Sequence, residues 1–496
     1  MHRLWREARA PLIFYAGFLV ILIGAHLPVL SLPYFWDELG QFIPAALDLY
    51  RDGAWVPKST LPNVHPPGVM AILAAVWSVT GYGILTTRLT MLALAALGVL
   101  GTFLLAIELC RKTKGVPALF AAGFLLASPL FWAQSMMAQL DMPAMVFTTF
   151  GLLLFLRERF TASALVCTAL VLMKESSLAV PAVFGVWLLA ERRLRPALLF
   201  LLPLAAVAGW LWALRSTTGH WLGNSEFTHY NVWFQLHPVR LPLTVARRIW
   251  YLLLDNMHWV GTAAIMRSVP LFRTRAWAVT AAVAALQTTA VSVLGGAALE
   301  RYLMPVLPLF YIAAAAAITT LTPRWQKVAP AAMFAGLLAG LVINSPLAYP
   351  FENNTAFVSF VRLQRQAAEV LQADYPDTTV WSAWPFPDAL RRPEFGYVER
   401  SLKHRGLDNF DSDTVLRQAG KIEVLVIYSR TWEPEWGALQ LEWVRDFLAR
   451  YYFYKPQISP GEIEAHLGLT RVARWEERGQ WIEIWARNRA PNVLVL

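Results

Sequence analysis

PLIFYAGFLVILIGAHLPVLSLPYFWDE, residues 11–38, is an apolar run long enough to cross a bilayer that ends on an acidic pair, Asp37-Glu38. A span needs about 20 apolar residues. Ahead of it lie His2, Arg3, Arg6 and Arg9, which resemble the charged start of a secretory signal. The apolar part is too long for a signal core, and no small-x-small cleavage site precedes Pro33, so an uncleaved anchor is expected. Carboxylates beside lipid must be solvated, paired or neutralised, and are costly to keep without a use. The acidic pair therefore points to chemistry at a membrane surface.

The rest of the 496 residues supports that solvent. The chain is 57% hydrophobic and 15% charged, with a mean hydropathy of +0.44, whereas soluble domains carry roughly a quarter charged residues. Apolar segments near 11–31, 85–109, 116–134, 143–157, 161–174, 177–191, 196–214, 249–266, 276–295, 302–321 and 328–348 alternate with short basic clusters. They predict a polytopic α-helical membrane protein of about eleven transmembrane helices. After Phe351 the sequence turns polar. The expected domains are thus 1–350, with an amphipathic first outer loop at 32–84, and a small extracytoplasmic α/β domain at 351–496. Phe357–Ala373 and Leu439–Arg450 read as helices; Thr379–Ala383, Val424–Tyr428 and Trp481–Trp485 read as strands.

The net charge of +10 does not indicate nucleic-acid binding, because the basic residues sit between apolar runs and not on one face. They follow the positive-inside rule. With a cytoplasmic N-terminus, the inner loops (Arg111 to Lys114, Arg157-Glu158-Arg159, Arg192 to Arg195, Arg267 to Arg275, Arg324 to Lys327) and the N-terminus hold about twice the Lys and Arg of the outer ones. The same orientation gathers Asp37, Glu38, His65, Asp141, Lys174 and Arg301 at the outer face. A bacterial inner membrane, with the C-terminal domain outside, is the expected location. Cys110 and Cys167 lie in apolar segments with no metal or disulfide spacing and read as buried small hydrophobes.

In the first outer loop, Leu39, Phe42, Ile43, Ala46, Leu47 and Tyr50 recur at helical spacing, with Gln41, Asp48, Arg51 and Asp52 on other faces. This predicts an interfacial amphipathic helix, broken by His65-Pro66-Pro67-Gly68. A second apolar piece, Val69 to Val79, is too short to span.

Sugar hydroxyls are weak nucleophiles near neutral pH, so a transferase needs a positioned carboxylate to take the proton. Asp37 suits that role; its alternative is to cap the helix that follows. Asp141, in Gln139-Leu140-Asp141-Met142-Pro143, is either an N-cap or a second carboxylate in the same pocket. Lys174 either snorkels or holds a lipid-linked phosphate as it leaves. Arg301 makes the same case, with an ion pair to Glu300 as its structural alternative. His65 could titrate, ligate a metal or contact phosphate. Trp381, Trp384, Trp432, Trp436 and Tyr451 to Tyr454 either pack or stack on sugars. Asn353-Asn354-Thr355 matches the glycosylation triplet.

Taken in order, these residues resemble the GT-C superfamily of membrane glycosyltransferases, in the branch of the protein O-mannosyltransferases and the lipid A aminoarabinose transferase. The resemblance rests on Trp36-Asp37-Glu38, Asp48-Leu49 with Gly53 and Trp55, Pro66-Pro67, and Gly81 with Arg88. It extends to Leu140-Asp141-Met142-Pro143, Met173-Lys174-Glu175 and Arg301-Tyr302-Leu303-Met304-Pro305, and covers roughly the first 350 residues. It implies inverting transfer of a sugar from a polyprenyl-phosphate donor to an acceptor hydroxyl on a glycan, lipid or protein. It further implies Asp37 as base with Glu38 beside it, Asp141 as a second carboxylate, and Lys174 as a phosphate contact; Arg301 and His65 are further candidates for the phosphate. Val64-His65 departs from the branch's lysine before Pro-Pro, and Gln41 from its Arg-Tyr. No cofactor is implied. The alternatives are a lipid-linked sugar flippase or transporter, which tends to show repeated halves and midplane charges, and an oligosaccharyl transferase whose acidic residues hold a divalent metal.

Overall fold

The computed structural model describes residues 2–111, 117–344, 349–430 and 437–487. These fall into two compact units. The first is Met1–Leu30, Gln41–Asn344 and Glu352–Asn354; the second is Ser31–Gly40, Ser345–Phe351 and Thr355–Leu496.

The first unit is helical, and among the described residues each apolar segment of the sequence lies largely on helix. Ala10–Val29, Ile84–Leu109, Leu194–Thr218 and Arg275–Val293 are long and apolar enough to cross a membrane. Gly68–Thr80, Ala118–Ala127, Asp141–Leu156, Phe160–Met173, Glu175–Ala190 and Leu307–Ile318 are shorter apolar helices. Ile13, Val20, Leu198 and Leu202 stay exposed on them, as side chains solvated by lipid do. The protein is a multi-pass membrane protein.

Small residues let these helices approach closely, as expected where no hydrophobic effect drives helices together. The Asp141–Leu156 helix packs on Ile84–Leu109 and on Phe160–Met173. A Cβ on Gly101 would meet Thr149 Oγ1 at 3.1 Å, and one on Gly151 would meet Cys167 Sγ at 3.2 Å. Both cysteines are buried and free.

The segment 249–266 is not one helix. Arg240–Leu253 and His258–Arg267 are split by Asp255–Met257, where Asn256 and Met257 take left-handed φ of 48° and 65°. Asparagine tolerates that region. The break seats on the Pro323–Gly340 helix, where a Cβ on Gly336 would collide with Met257 and one on Gly340 with Asn256. Those two glycines, one helical turn apart, make the room.

The amphipathic helix of the first loop is present as Ile43–Asp52, preceded by a wide turn at Glu38–Phe42. It packs on Gly68–Thr80 and is buried over Ile43–Asp48. Asp48, expected on a solvated face, is buried and accepts the N–H groups of Lys58 and Ser59, each at 2.7 Å.

The second unit is built on a five-stranded sheet, β1 Val380–Ala383, β2 His404–Leu407, β3 Val424–Tyr428, β4 Thr470–Glu477 and β5 Gln480–Ala486, in the order β2-β1-β3-β5-β4. β2, β1 and β3 run parallel; β5 is antiparallel to β3 and to β4. β3 and β5 are buried throughout, and the Ala356–Asp374 helix packs on β5 and β4. Arg478 and Gly479 join β4 to β5 with φ of 52° and 77°, as tight hairpin turns require. Arg471 and Arg474 of β4 reach Glu483 of β5 at 2.8 and 2.6 Å, cross-strand charge pairs on one face of the hairpin.

Ser31–Gly40 belongs to this second unit, which a cut at residue 350 does not anticipate. Tyr34 N–H donates to Phe395 O at 3.3 Å, and Tyr397 Oη–H donates to Tyr34 O at 2.7 Å. Phe35 lies against Phe357 and Phe360. Trp381 is half-buried and Trp384 exposed; Trp432 and Trp436, like Lys112 to Lys114, lie outside the described residues.

Candidate active site

At one end of the first unit, charges that the sequence scatters over more than two hundred residues form one buried network. Asp141 is the first residue of its helix, and its side chain makes no cap. Its Oδ1 instead accepts Lys174 Nζ at 2.5 Å, and its Oδ2 lies 3.4 Å from Arg301 Nε. Lys174 reaches it because its backbone turns extended (φ −153°, ψ 114°) between the Phe160–Met173 helix and the Glu175–Leu178 turn. It is 6% exposed, so it does not snorkel.

Arg301 completes the network. Its Nη1 donates to Gln139 Oε1 at 2.5 Å and to Glu352 Oε2 at 3.0 Å, while Gln139 Nε2 donates to the same Glu352 oxygen at 3.2 Å. Its ion pairs thus run to Asp141 and Glu352. Glu300, the partner in the structural alternative for Arg301, instead takes Arg247 at 2.5 Å and the amide of Asn353 at 2.9 Å. The glycosylation triplet therefore has its asparagine engaged in an internal hydrogen bond.

Tyr302 stands among the cations. Lys174 Nζ lies 4.0 Å from its ring centre, and the guanidinium carbons of Arg248 and Arg301 lie at 5.4 and 5.7 Å. Arg248 is 1% exposed, and its Nη1 and Nη2 donate to Leu299 O and Val291 O at 2.9 and 3.0 Å. No described carboxylate lies within ion-pair distance of it. A buried cation hydrogen-bonded to carbonyls, with no carboxylate in direct contact, is costly, and an anion brought into contact would compensate it.

His65 lies beside this network. Its Nδ1 is 3.0 Å from Glu175 Oε2, the residue after Lys174. Its main chain is fixed by Asn63 Oδ1 on His65 N–H at 3.0 Å and by Trp210 Nε1 on Val64 O at 2.8 Å. Gly68 closes the Pro66-Pro67 break because the Leu172 carbonyl comes so near that a Cβ would collide with it. The ring nitrogen that faces Glu175 is engaged in that pair.

Asp37 and Glu38 lie in the second unit and differ from each other. Glu38 is fully buried, and its Oε2 accepts Phe35 N–H at 2.9 Å, so it closes its own turn. Asp37 is half-buried. Trp36 before it holds φ 51°, a left-handed conformation rare for a bulky residue. Its ring lies edge-on to Trp384, centroids 4.6 Å apart, and Gly40 lets Trp384 and Asp388 approach the same turn. Burial pushes the Asp388 carboxyl above the ordinary aspartate value, against the pull of Arg391 and His404.

Sequence reasoning missed Arg248, Gln139, Tyr302 and Glu352 as site residues. Arg248 follows another arginine at the edge of an apolar run, which reads as topology. Tyr302 and Gln139 lie inside the motifs already singled out, and a neighbouring charged residue was the available signal. Among the described residues no group of three or more His, Cys, Asp or Glu is arranged to hold a metal ion.

No family model matches the chain, and neither does any curated protein. Solved structures do. The crystal structure of ArnT from Cupriavidus metallidurans bound to undecaprenyl phosphate superposes with a TM-score of 0.55 at 15% identity, covering 95% of this chain and 97% of that one. Its apo state gives 0.53 at 15% identity, covering 97% and 98%. The chain therefore shares the fold of these ArnT structures.

Proposed function

We propose that this protein is an inverting glycosyltransferase that moves a sugar from a polyprenyl-phosphate donor to an acceptor hydroxyl, with the network end of the helices facing out of the cytoplasm. The carrying observation is the buried cation set around Tyr302, in which Arg248 has carbonyls as partners and, among the described residues, no carboxylate within ion-pair distance. In a membrane such a set suits a lipid-linked anion. The shared fold supports the reading, since the ArnT structure holds undecaprenyl phosphate.

The donor phosphate takes Lys174, Arg301 and Arg248 as counter-charges. Asp141 holds Lys174 and Arg301 in register, and Glu352 with Gln139 hold Arg301 from its other side. Asp37 takes the proton of the acceptor hydroxyl as its oxygen bonds to the anomeric carbon. The bond from that carbon to the phosphate oxygen breaks on the opposite face, which inverts the centre. Lipid phosphate leaves as an anion already matched by cations, so no general acid is required. Glu38 shapes the turn that carries Asp37. His65, balanced by Glu175, is the remaining candidate contact for the donor phosphate.

The test uses purified protein reconstituted into sealed liposomes with a radiolabelled polyprenyl-phosphate sugar and a hydroxyl acceptor. Asp37→Asn is expected to keep donor affinity and to lower turnover about 10²- to 10⁴-fold; undiminished turnover removes Asp37 from catalysis. Sugar lipid that crosses the bilayer without release of lipid phosphate identifies a flippase instead. Activity abolished by a chelator and restored by a divalent cation identifies the metal-dependent class.

A further inference from the structure

At the other end of the first unit, two successive helix corners share one backbone solution. The Asp141–Leu156 helix closes at Arg157; Glu158 takes φ 56°, and the N–H groups of Glu158 and Arg159 donate to Phe155 O and Leu154 O, both at 2.9 Å. The Ala179–Ala190 helix closes at Glu191; Arg192 takes φ 58°, and the N–H groups of Arg192 and Arg193 donate to Leu189 O and Leu188 O at 2.9 and 2.8 Å. Glycine is the residue that takes a left-handed helix stop without strain. Both corners place a charged residue there, and strain of that kind marks positions kept for something other than the turn.

The corners are tied together. Arg193 Nη1 donates to Glu158 Oε1 at 2.9 Å, and its guanidinium lies 4.6 Å above the Phe160 ring. Between them opens a groove of about 740 Å³, whose lining includes Glu158, Arg159, Arg193, Arg195, Phe160 and Leu199. Glu158 is engaged by Arg193. Arg159 and Arg195 have no carboxylate partner among the described residues, so the groove carries surplus positive charge. Leu194 and Leu198, each 62% exposed, continue outward from the same corner. Guanidinium groups beside lipid-facing leucines complement a molecule with an anionic head and apolar tails.

We infer that this groove holds the phosphodiester headgroup of an anionic phospholipid, with its acyl chains along Leu194 and Leu198. Arg159 and Arg195 contact the phosphate, and Arg193, fixed by Glu158 and Phe160, forms the floor. This site is independent of the transfer chemistry and lies at the opposite helix ends.

The experiment is native mass spectrometry of the detergent-purified full chain titrated with phosphatidylglycerol, phosphatidylcholine or inorganic phosphate. Wild type is expected to retain phosphatidylglycerol over phosphatidylcholine by about tenfold or more, and to lose that preference as salt rises. Arg159→Gln with Arg195→Gln should abolish the preference at unchanged thermal unfolding. Equal retention of both lipids by wild type overturns the proposal, as does a preference that survives in the double variant. Displacement of the lipid by millimolar inorganic phosphate assigns the groove to a soluble anion and likewise overturns it. The salt and competition arms need no variant, so a poorly folding mutant leaves the test intact.

Discussion

At its first residue the Asp141–Leu156 helix carries a carboxylate 2% exposed that holds two cations. At its last, about 24 Å away at 1.5 Å per residue, Arg157 and Glu158 stand exposed beside Arg193. Neighbouring helices repeat the contrast. Phe160–Met173 runs from exposed Arg159 to buried Lys174, and Arg275–Val293 runs from exposed Arg275 towards buried Glu300 and Arg301. Removing a charge from water costs several kcal/mol even when it is paired, whereas an exposed pair contributes at most about 1 kcal/mol. One end therefore holds charge against its solvation preference, and the other holds it in water at little cost. A fold concentrates that cost where a charged ligand can draw on it.

The contrast breaks first at Lys174. Lys174→Met leaves Asp141 buried with Arg301 alone, and is expected to destabilise the protein by about 3–5 kcal/mol. Pairing it with Asp141→Leu should recover most of that loss, because both charges then leave together. Denaturant unfolding in detergent followed by tryptophan fluorescence gives both values. Equal losses in the single and double variants would mean the pair is not the buried unit described here.

Arg248 separates ligand from scaffold. Arg248→Gln is expected to weaken undecaprenyl phosphate binding roughly 10- to 100-fold, the worth of a charge-assisted hydrogen bond of about 1.5–3 kcal/mol. Its stability should change less than that of Lys174→Met, since its protein partners are neutral carbonyls. Unaltered affinity in a titration of purified protein takes Arg248 out of the donor site.

These two residues also mark what the chain discloses by itself. Asp141, Lys174 and Arg301 are conspicuous because each interrupts or bounds apolar sequence, and their convergence follows from helix connectivity. Arg248 hides behind Arg247, and Glu352 opens a polar stretch where one more carboxylate carries no signal. Strands β1, β3 and β5 are legible as buried β-branched and aromatic runs. β2 (His404-Arg405-Gly406-Leu407) and β4 are edge strands whose polar sequence erases alternation. The break at Asn256 depends on Gly336 and Gly340 some eighty residues on, and the attachment of Ser31–Gly40 to the second unit depends on Phe395 and Tyr397. No local pattern reports such contacts. Asp37 stands out in the sequence as a carboxylate closing an apolar run, but not as part of the second unit.

The smallest effect is the sharpest control on the comparison. Arg193→Gln removes the pair with Glu158 at 36% and 55% side-chain exposure, and should cost no more than about 1 kcal/mol. Its charge interaction is open to solvent, so the cost should shrink further at 1 M salt, where the screening length is about 3 Å. The loss in Lys174→Met should hardly change between 0.1 and 1 M salt, because counter-ions do not reach Asp141. Measuring both variants at both salt concentrations thus tests burial directly, without reference to activity. A salt-insensitive loss of several kcal/mol at Arg193 would mean that the exposed corner is shielded from water as fully as the buried network, and the division of labour between the two helix ends would not hold.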